Sequence, residues 1–281
     1  MNIQLIAIDM DGTTLKNDHF SISQRTRRAI ESAIAKGIAV VPATGRNDAL
    51  LPASVMEIPG IRYVIASNGA VVHDRKEQKN IHSNFIPAPL ALRILEVLPE
   101  KDLLIEIFQN GRLYVERSFL ETLEGYPIEF LSLDFMKSIS TPVDDLAAFF
   151  REHGDGIEKI NLPYIPSQWQ HPLSEKLSAV KSSVTVTSSV SHNMEINGKG
   201  ATKGAALSWL CGFLNIPREN VLAVGDNGND IDMLEYAGIS AAMANGTEEA
   251  KAAANTVTLS CEEDGVALAI EKYALNSGIA E

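Results

Sequence analysis

Residues 3–15 read IQLIAIDMDGTTL, an apolar run that stops abruptly at two carboxylates, Asp9 and Asp11, one residue apart. The run has the length and the Ile content of a buried strand. If the backbone stays extended past Ile8, alternation projects Asp9 and Asp11 to the same side and turns Met10 away, after which Gly12 lets the chain turn. Neighbouring carboxylates repel. They are tolerated when a divalent cation neutralises them, or when one keeps a proton for acid–base work. A D-x-D pair alone fits a solvated turn equally well, so the rest of the chain has to decide between these readings.

Outward from this strand, short Val- and Ile-rich runs alternate with amphipathic helical stretches, the pattern of a mostly parallel sheet covered on both faces. SQRTRRAIESAIAKG follows first, with Ala29, Ile30, Ala33 and Ile34 on one face, Ser21 or Ser23 as the cap and Gly37 as the stop. IAVVPAT is the second strand, a helix is expected from about Asn47, and YVIAS is the third strand, ending in Asn68-Gly69. From about Ser83 the character changes: a helix entered through Pro87 and Pro89 precedes LLIEIFQNGRLYVER, in which Asn110-Gly111 marks a hairpin. PVDDLAAFFREHG and PLSEKLSAV read as helices here, IEKINLPY and SVTVTS as strands. The parallel pattern then resumes with ATKGAALSWLCGFL (helix), NVLAVGD (strand), NDIDMLEYAG (helix), ISAAMA (strand) and TEEAKAAAN (helix). The expectation is an α/β fold: a Rossmann-like, doubly wound, mostly parallel core sheet from residues 1–82 and 189–281, with an inserted α+β domain over 83–188.

Bulk properties narrow the function. The 281 residues carry 24 Lys plus Arg against 36 Asp plus Glu, a net charge of −12 that argues against a nonspecific nucleic-acid or membrane-surface binder. Any anionic substrate must therefore be held by local charges or a metal. Cys211 and Cys261 have neither metal-type spacing nor the density of a disulfide framework, and no 18-residue apolar stretch or signal-like leader is evident. A cytoplasmic protein with no membrane partner is expected.

In an open parallel sheet, ligands bind beyond the carboxyl ends of the strands. Asp9 lies at such an end. ATGR ends the second strand with the Thr44 hydroxyl, Gly45, where backbone can approach closely, and the Arg46 guanidinium, suited to a phosphate or another anion. GDNGND puts Asp226 at the end of a further strand and Asn229 and Asp230 at the start of a helix, where Asp230 has the alternative role of a cap. Asp226 matches the position of Asp9 on another strand and suits an oxygen-ligand Mg²⁺ site. Lys199 and Lys203 stand at a helix start in GKGATKGAAL, whose glycines match neither the P-loop nor the dinucleotide fingerprint. His19, His73, His82, His153, His171 and His192 are scattered without metal-ligand spacing and are read as unassigned; Trp169 and Trp209 are read as packing residues.

Taken in order, DMDGTTL, ATGR, ATKGAAL and GDNGNDIDML, with a large insertion between the second and third, resemble the haloacid dehalogenase-like superfamily, specifically its Cof-type phosphatases. IASNGAVV and AAMANGTEEAKAAA are similar to stretches typical of the same proteins, while Thr14 and Ala244 depart from the usual Leu and Gly. The resemblance spans nearly the whole chain. It implies a phosphomonoester hydrolase, acting on a small phosphorylated metabolite with Mg²⁺, whose insertion is a cap that confers specificity. By position, Asp9 resembles the nucleophile and Asp11 the acid that protonates the leaving alkoxide and then deprotonates water. Thr44, the Gly45 backbone, Lys203 and Asn229 resemble the phosphate clamp, with Met10 and Arg46 beside them. Mg²⁺ is implied at Asp9, the Asp11 carbonyl and Asp226, supported by Asp230. The alternatives are a phosphotransferase or mutase on the same core and a noncatalytic phosphate-binding protein; a dehalogenase would need neither Asp11 nor the metal, and a signalling receiver would lack the insertion.

Overall fold

The computed structural model describes residues 2–47, 50–98, 103–122, 133–154, 156–188 and 192–275. The chain forms two compact units, Met1–Ser83 with Thr202–Glu281, and Asn84–Ala201. The first unit opens with β1 (Leu5–Ile8), α1 (Gln24–Ala35), β2 (Ala39–Pro42), α2 (Ala53–Met56), β3 (Tyr63–Ala66), β4 (Val71–Asp74) and β5 (Lys79–Ser83). The second contains α3 (Ala88–Val97), β6 (Glu106–Gln109), β7 (Arg112–Glu116), α4 (Arg117–Thr122), α5 (Leu133–Ile139) and β8 (Ser140–Val143). It continues through α6 (Leu146–His153), β9 (Lys159–Leu162), α7 (Ser167–Leu177), β10 (Val184–Thr187) and β11 (Met194–Gly198). The first unit resumes with α8 (Lys203–Leu214), β12 (Val221–Gly225), α9 (Ile231–Tyr236) and β13 (Ile239–Ala242), and ends with α10 (Glu248–Ala253), β14 (Thr256–Val257) and α11 (Gly265–Tyr273).

Its sheet runs β14-β13-β12-β1-β2, and every pairing in it is parallel. β3 joins beside β2 through a parallel bridge between Ala43 and Ile65 and then turns back into β4 and β5. One face of the sheet, with Leu5, Ala7, Val41 and Ala223, packs against Leu207, Leu210, Met233 and Leu234 of α8 and α9. The alternate residues Ile6, Ile8, Val40, Leu222 and Val224 are also buried, on the side where α1 packs against α11. Both faces of the strands are covered, which is why they read as nearly continuous apolar runs. Ser23, not Ser21, caps α1 by accepting from the Thr26 amide. The helix expected from about Asn47 begins later, at Ala53, and residues 48–49 lie outside the described residues.

The second unit is a six-stranded sheet in the order β10-β11-β9-β6-β7-β8. Asn110-Gly111 forms the expected two-residue turn, with φ of 52° and 71° at those residues and Gln109 paired to Arg112. One face of this sheet, with Ile107, Ile160, Leu162 and Ile196, builds a core with Ile94 of α3, Phe150 of α6 and Leu173 of α7. The alternate face carries Glu106, Lys159, Asn161, Glu195 and Asn197. β11 belongs to this sheet, paired to β9 and β10, so the return to the first unit comes after Ala201 and not at 188–189. Its sequence, MEING, sets Glu195 and Asn197 on the polar face. Those are poor strand formers, and only the ladder to its neighbours holds them extended.

Candidate active site

The site forms at the carboxyl ends of two adjacent central strands. Ile8 is in register with Val224, so Asp9 stands level with Gly225 and beside Asp226. The Asp9 amide still donates to the Val224 carbonyl at 3.0 Å, and only at Met10 does the chain leave the sheet into a tight turn over residues 10–14. Asp9 and Asp11 therefore do not continue one strand; Gly12, with φ of 77°, reverses the path. A side chain at Gly12 would run into the Asp226 carboxylate, and one at Gly225 into that of Asp230. Both glycines are required for the acids to converge. The Gly12 turn is tied down from two sides: Thr13 Oγ1 donates to Asp226 Oδ1 at 2.8 Å, and Asn245 Nδ2 donates to the Gly12 carbonyl at 2.7 Å.

Asp9 is 5% exposed and Lys203 1%. Lys203 Nζ donates to Asp9 Oδ1 and to Asp230 Oδ1, each at 2.6 Å. A lysine in the first turn of a helix opposes the helix dipole, and here the two carboxylates hold it. Burial by itself would lower the Lys203 ammonium, but the Asp230 and Asp9 charges outweigh it and push it up. Burial raises the Asp9 carboxyl well above the ordinary range, the Asp230 and Asp226 charges add to this, and Lys203 offsets only part of it. Asp226 is pushed up to about 6, by burial first and then by Asp230. Asp230 itself accepts through Oδ2 from the Asp226 amide (2.9 Å) and the Asn227 amide (3.1 Å), combining the capping role with the bond to Lys203.

Asp9, Asp226 and Asp230 each offer a carboxylate oxygen within 4.8 Å of the others, a set able to hold a metal ion. Three acids against one ammonium leave a buried excess of negative charge, and an all-oxygen donor set suits a hard divalent cation. The Asp11 carboxylate is not in this set.

Its partners are Arg46 and His19. Arg46 Nε donates to Asp11 Oδ2 at 2.8 Å and Nη2 to Oδ1 at 2.5 Å, while His19 Nδ1 lies 2.9 Å from Oδ1. Burial would raise this carboxyl, but the hydrogen bonds from His19 and Arg46 outweigh it and hold it at about 2. The guanidinium read from sequence as a phosphate ligand is thus engaged with an acid. Thr44 is buried and its hydroxyl accepts from the Arg46 amide at 3.1 Å, so the ATGR turn is closed on itself. Asn229 donates to the Asn68 side chain at 3.3 Å, which brings the ASNG turn to the site. Lys199 is exposed and belongs to the second unit; Lys203 alone of the two reaches the acids. Sequence reasoning missed Thr13 and Asn245 as individual residues, although each falls in a stretch it singled out, and named Asn68 only at the polar end of the third strand. His19 fell in none.

A carboxylate at a strand terminus, bridged by a helix-borne lysine to a second acid, with further acids alongside, has the charge to take up a divalent cation. The profile of the haloacid dehalogenase-like hydrolases matches residues 6–270. The chain belongs to that family. Phosphatase YwpJ of Bacillus subtilis is 34% identical over 290 residues, covering 94% of this chain and 98% of its own length. The 5-amino-6-(5-phospho-D-ribitylamino)uracil phosphatase YwtE of the same organism is 30% identical over 291 residues, covering 96% and 98%. Among solved structures, a haloacid dehalogenase-like hydrolase from B. subtilis superposes with a TM-score of 0.78 at 32% identity, covering 96% of this chain and all of that one. This haloacid dehalogenase-like chain is a phosphatase with an α/β fold, a parallel core sheet and a cap domain. None of its described helices is long and apolar enough to cross a membrane.

Proposed function

We propose that this phosphatase hydrolyses small phosphomonoesters with Mg²⁺ through an aspartyl-phosphate on Asp9. The observation that carries this reading is the buried excess of acid around Lys203, with Asp9 at its edge on the strand terminus. An Asp9 oxygen attacks phosphorus and the ester P–O bond breaks; Asp11, ionised in the free protein, takes up a proton from solvent as the anionic substrate docks beside it and gives that proton to the leaving alkoxide. Water then attacks phosphorus, its proton passes to the Asp11 carboxylate, and the bond from phosphorus to Asp9 oxygen breaks, restoring both residues. Lys203 keeps Asp9 oriented, and with Thr44, Asn229 and the Met10 and Gly45 backbone it meets the charge that builds on the phosphoryl oxygens. Mg²⁺, held by Asp9, Asp226 and the Asp11 carbonyl with Asp230 in support, would offset the negative charge of nucleophile and phosphate as they approach.

The body of the substrate is read as a sugar or polyol, the class to which the ribityl phosphate in the name of YwtE belongs. The inserted unit is read as the part that selects it. Two free cysteines agree with a reducing, cytoplasmic setting. The test is phosphate release from a panel of phosphomonoesters, with Mg²⁺ and after exhaustive chelation. Metal-dependent release is expected. Turnover that survives chelation would remove Mg²⁺ from the reading, and formation of a new phosphate ester from an added sugar without phosphate release would make the chain a transferase.

A further inference from the structure

His19 occupies a loop, residues 16–21, that is pinned along its length. Within the loop, the His19 amide donates to the Lys16 carbonyl and the Lys16 amide to that of Ser21, each at 2.9 Å, while Asp18 Oδ1 accepts from the Phe20 and Ser21 amides. From outside, Lys16 Nζ donates to the Glu262 carbonyl at 2.6 Å, the Asn17 amide to Glu262 Oε1 at 2.8 Å, and Ser54 Oγ to the Phe20 carbonyl at 2.5 Å. These ties hold His19 at φ of 61°, a left-handed conformation uncommon for a residue with a side chain. The consequence is a closed ring of three residues: His19 Nδ1 reaches Asp11 Oδ1, Arg46 bridges both Asp11 oxygens, and Arg46 Nη2 also donates to the His19 carbonyl at 3.1 Å. Asp11 Oδ1 is therefore doubly engaged and Oδ2 singly, and the side chain is 39% exposed, so the lone pair open to an incoming ligand lies on Oδ2.

We propose that His19 is a positioning residue for phosphoryl transfer: by occupying Asp11 Oδ1 together with Arg46, it leaves Oδ2 as the oxygen that exchanges the proton with leaving group and water. This rests on Asp11 being the acid and base of the reaction. The Oδ2–H bond breaks as the alkoxide takes the proton, and re-forms with a proton from water as that water bonds to phosphorus. No oxidant or further reactant is involved.

The test compares kcat/KM, which reports the steps up to alcohol release and not the hydrolysis of the aspartyl-phosphate common to all esters, on p-nitrophenyl phosphate, whose leaving group needs no acid, and on the best alkyl phosphate of the panel. His19→Gly accepts the left-handed backbone but removes the donor; His19→Asn accepts it and keeps an amide N–H close to the position of Nδ1. His19→Gly should lower kcat/KM on the alkyl ester by about tenfold through lost orientation, the scale of one charged hydrogen bond, with the p-nitrophenyl value and KM little moved; because the same bond favours the ionised carboxyl, a rise on the alkyl ester would show that ionisation prevails and would overturn the role. His19→Asn should recover most of that loss. Equal losses on the two esters, a change confined to KM, or His19→Asn no better than His19→Gly would overturn the role of His19. Asp11→Asn serves as the reference: if it too loses both esters equally, the acid–base reading falls and the positioning role with it, whereas discrimination by Asp11→Asn without any by His19→Gly removes only His19. Circular dichroism and Tm of each variant confirm that the fold is retained.

Discussion

Lys203 in the first unit and Lys159 in the second are both almost fully withdrawn from water, yet they bond to different numbers of acids. Lys159 Nζ meets Glu195 at 2.6 Å across the β9–β11 ladder, and the buried Glu106, which also feels the Lys159 charge and is pushed up by burial, accepts from the Asn161 amide at 2.6 Å. Lys203 instead faces Asp9 and Asp230 directly, with Asp226 a third acid in the same cluster. Burying an ion pair costs desolvation that mutual attraction can repay when charges match. Around Lys159 the close pair is one ammonium with Glu195, and Glu106 is held by the Asn161 amide. Around Lys203 the charges do not match, and the mismatch appears as raised Asp9 and Asp226 carboxyls. Three carboxylates that converge around one ammonium are what a site built to receive a cation and a phosphoryl group must hold ready, whereas Glu106 is held by an amide and Glu195 by Lys159.

The sharpest way to break this contrast is Asp9→Asn, which should reduce turnover on the order of 10⁴-fold or more, the scale of removing a nucleophile. Intact-mass measurement after rapid acid quench should lose the phosphorylated species, and its persistence would move the nucleophile elsewhere. Next, Lys203→Ala should cost roughly 10² to 10³ in kcat, while the double change Lys159→Met with Glu195→Leu should leave both p-nitrophenyl phosphate turnover and Tm close to those of the parent, because a directly bonded buried pair is removed together and replaced by apolar groups of similar volume. If the double variant loses turnover as Lys203→Ala does, the two lysines are not the different kinds of residue described above.

The smallest effect concerns pH. Asp226 must be ionised to ligate, so with its carboxyl pushed up to about 6 the apparent Kd for Mg²⁺ should rise roughly tenfold between pH 7 and pH 5. The sign for the metal-free protein is opposite. A carboxyl raised from 3.8 to about 6 contributes stability that is present below 3.8 and lost as pH rises through 6. Tm without metal should therefore gain from this group on acidification over that window, and Mg²⁺ should raise Tm more at pH 7 than at pH 5. Calorimetry at the two pH values, with Asp226→Asn as the control that flattens both trends, checks the sign.

The elements and the site were legible to different degrees. β1, β2, β12 and β13 could be read directly because strands buried on both faces are apolar throughout, and polar residues then mark their ends. Asp9 and Asp226 were found by that logic. The Asn110-Gly111 turn was equally plain, since the two-residue hairpin demands positive φ twice in succession. β11 escaped because a strand with a polar buried face carries no apolar signal, and its assignment to the second unit's sheet comes from hydrogen bonds to β9 and β10. The D-x-D stretch was half right: Asp9 ends the strand as expected, but the turn begins at Met10, which sends the Asp11 carboxylate to Arg46.

Local chemistry was within reach of the amino-acid order alone, because strand alternation, turn-forming glycines and the polar residues that follow apolar runs are properties of neighbours along the chain. Folding decided which charges meet. Lys203 reaches Asp9 across 194 positions, Thr13 reaches Asp226 across 213, and Arg46 reaches Asp11 across 35. An ion pair depends on a separation of a few ångströms and on the water excluded around it, and neither quantity exists until the parallel sheet has aligned the ends of β1 and β12. His19 shows the limit most clearly: nothing in its neighbourhood in the sequence distinguishes it from the other five histidines, and its bond to Asp11 follows from a loop pinned by Glu262 and Ser54, far away in the chain.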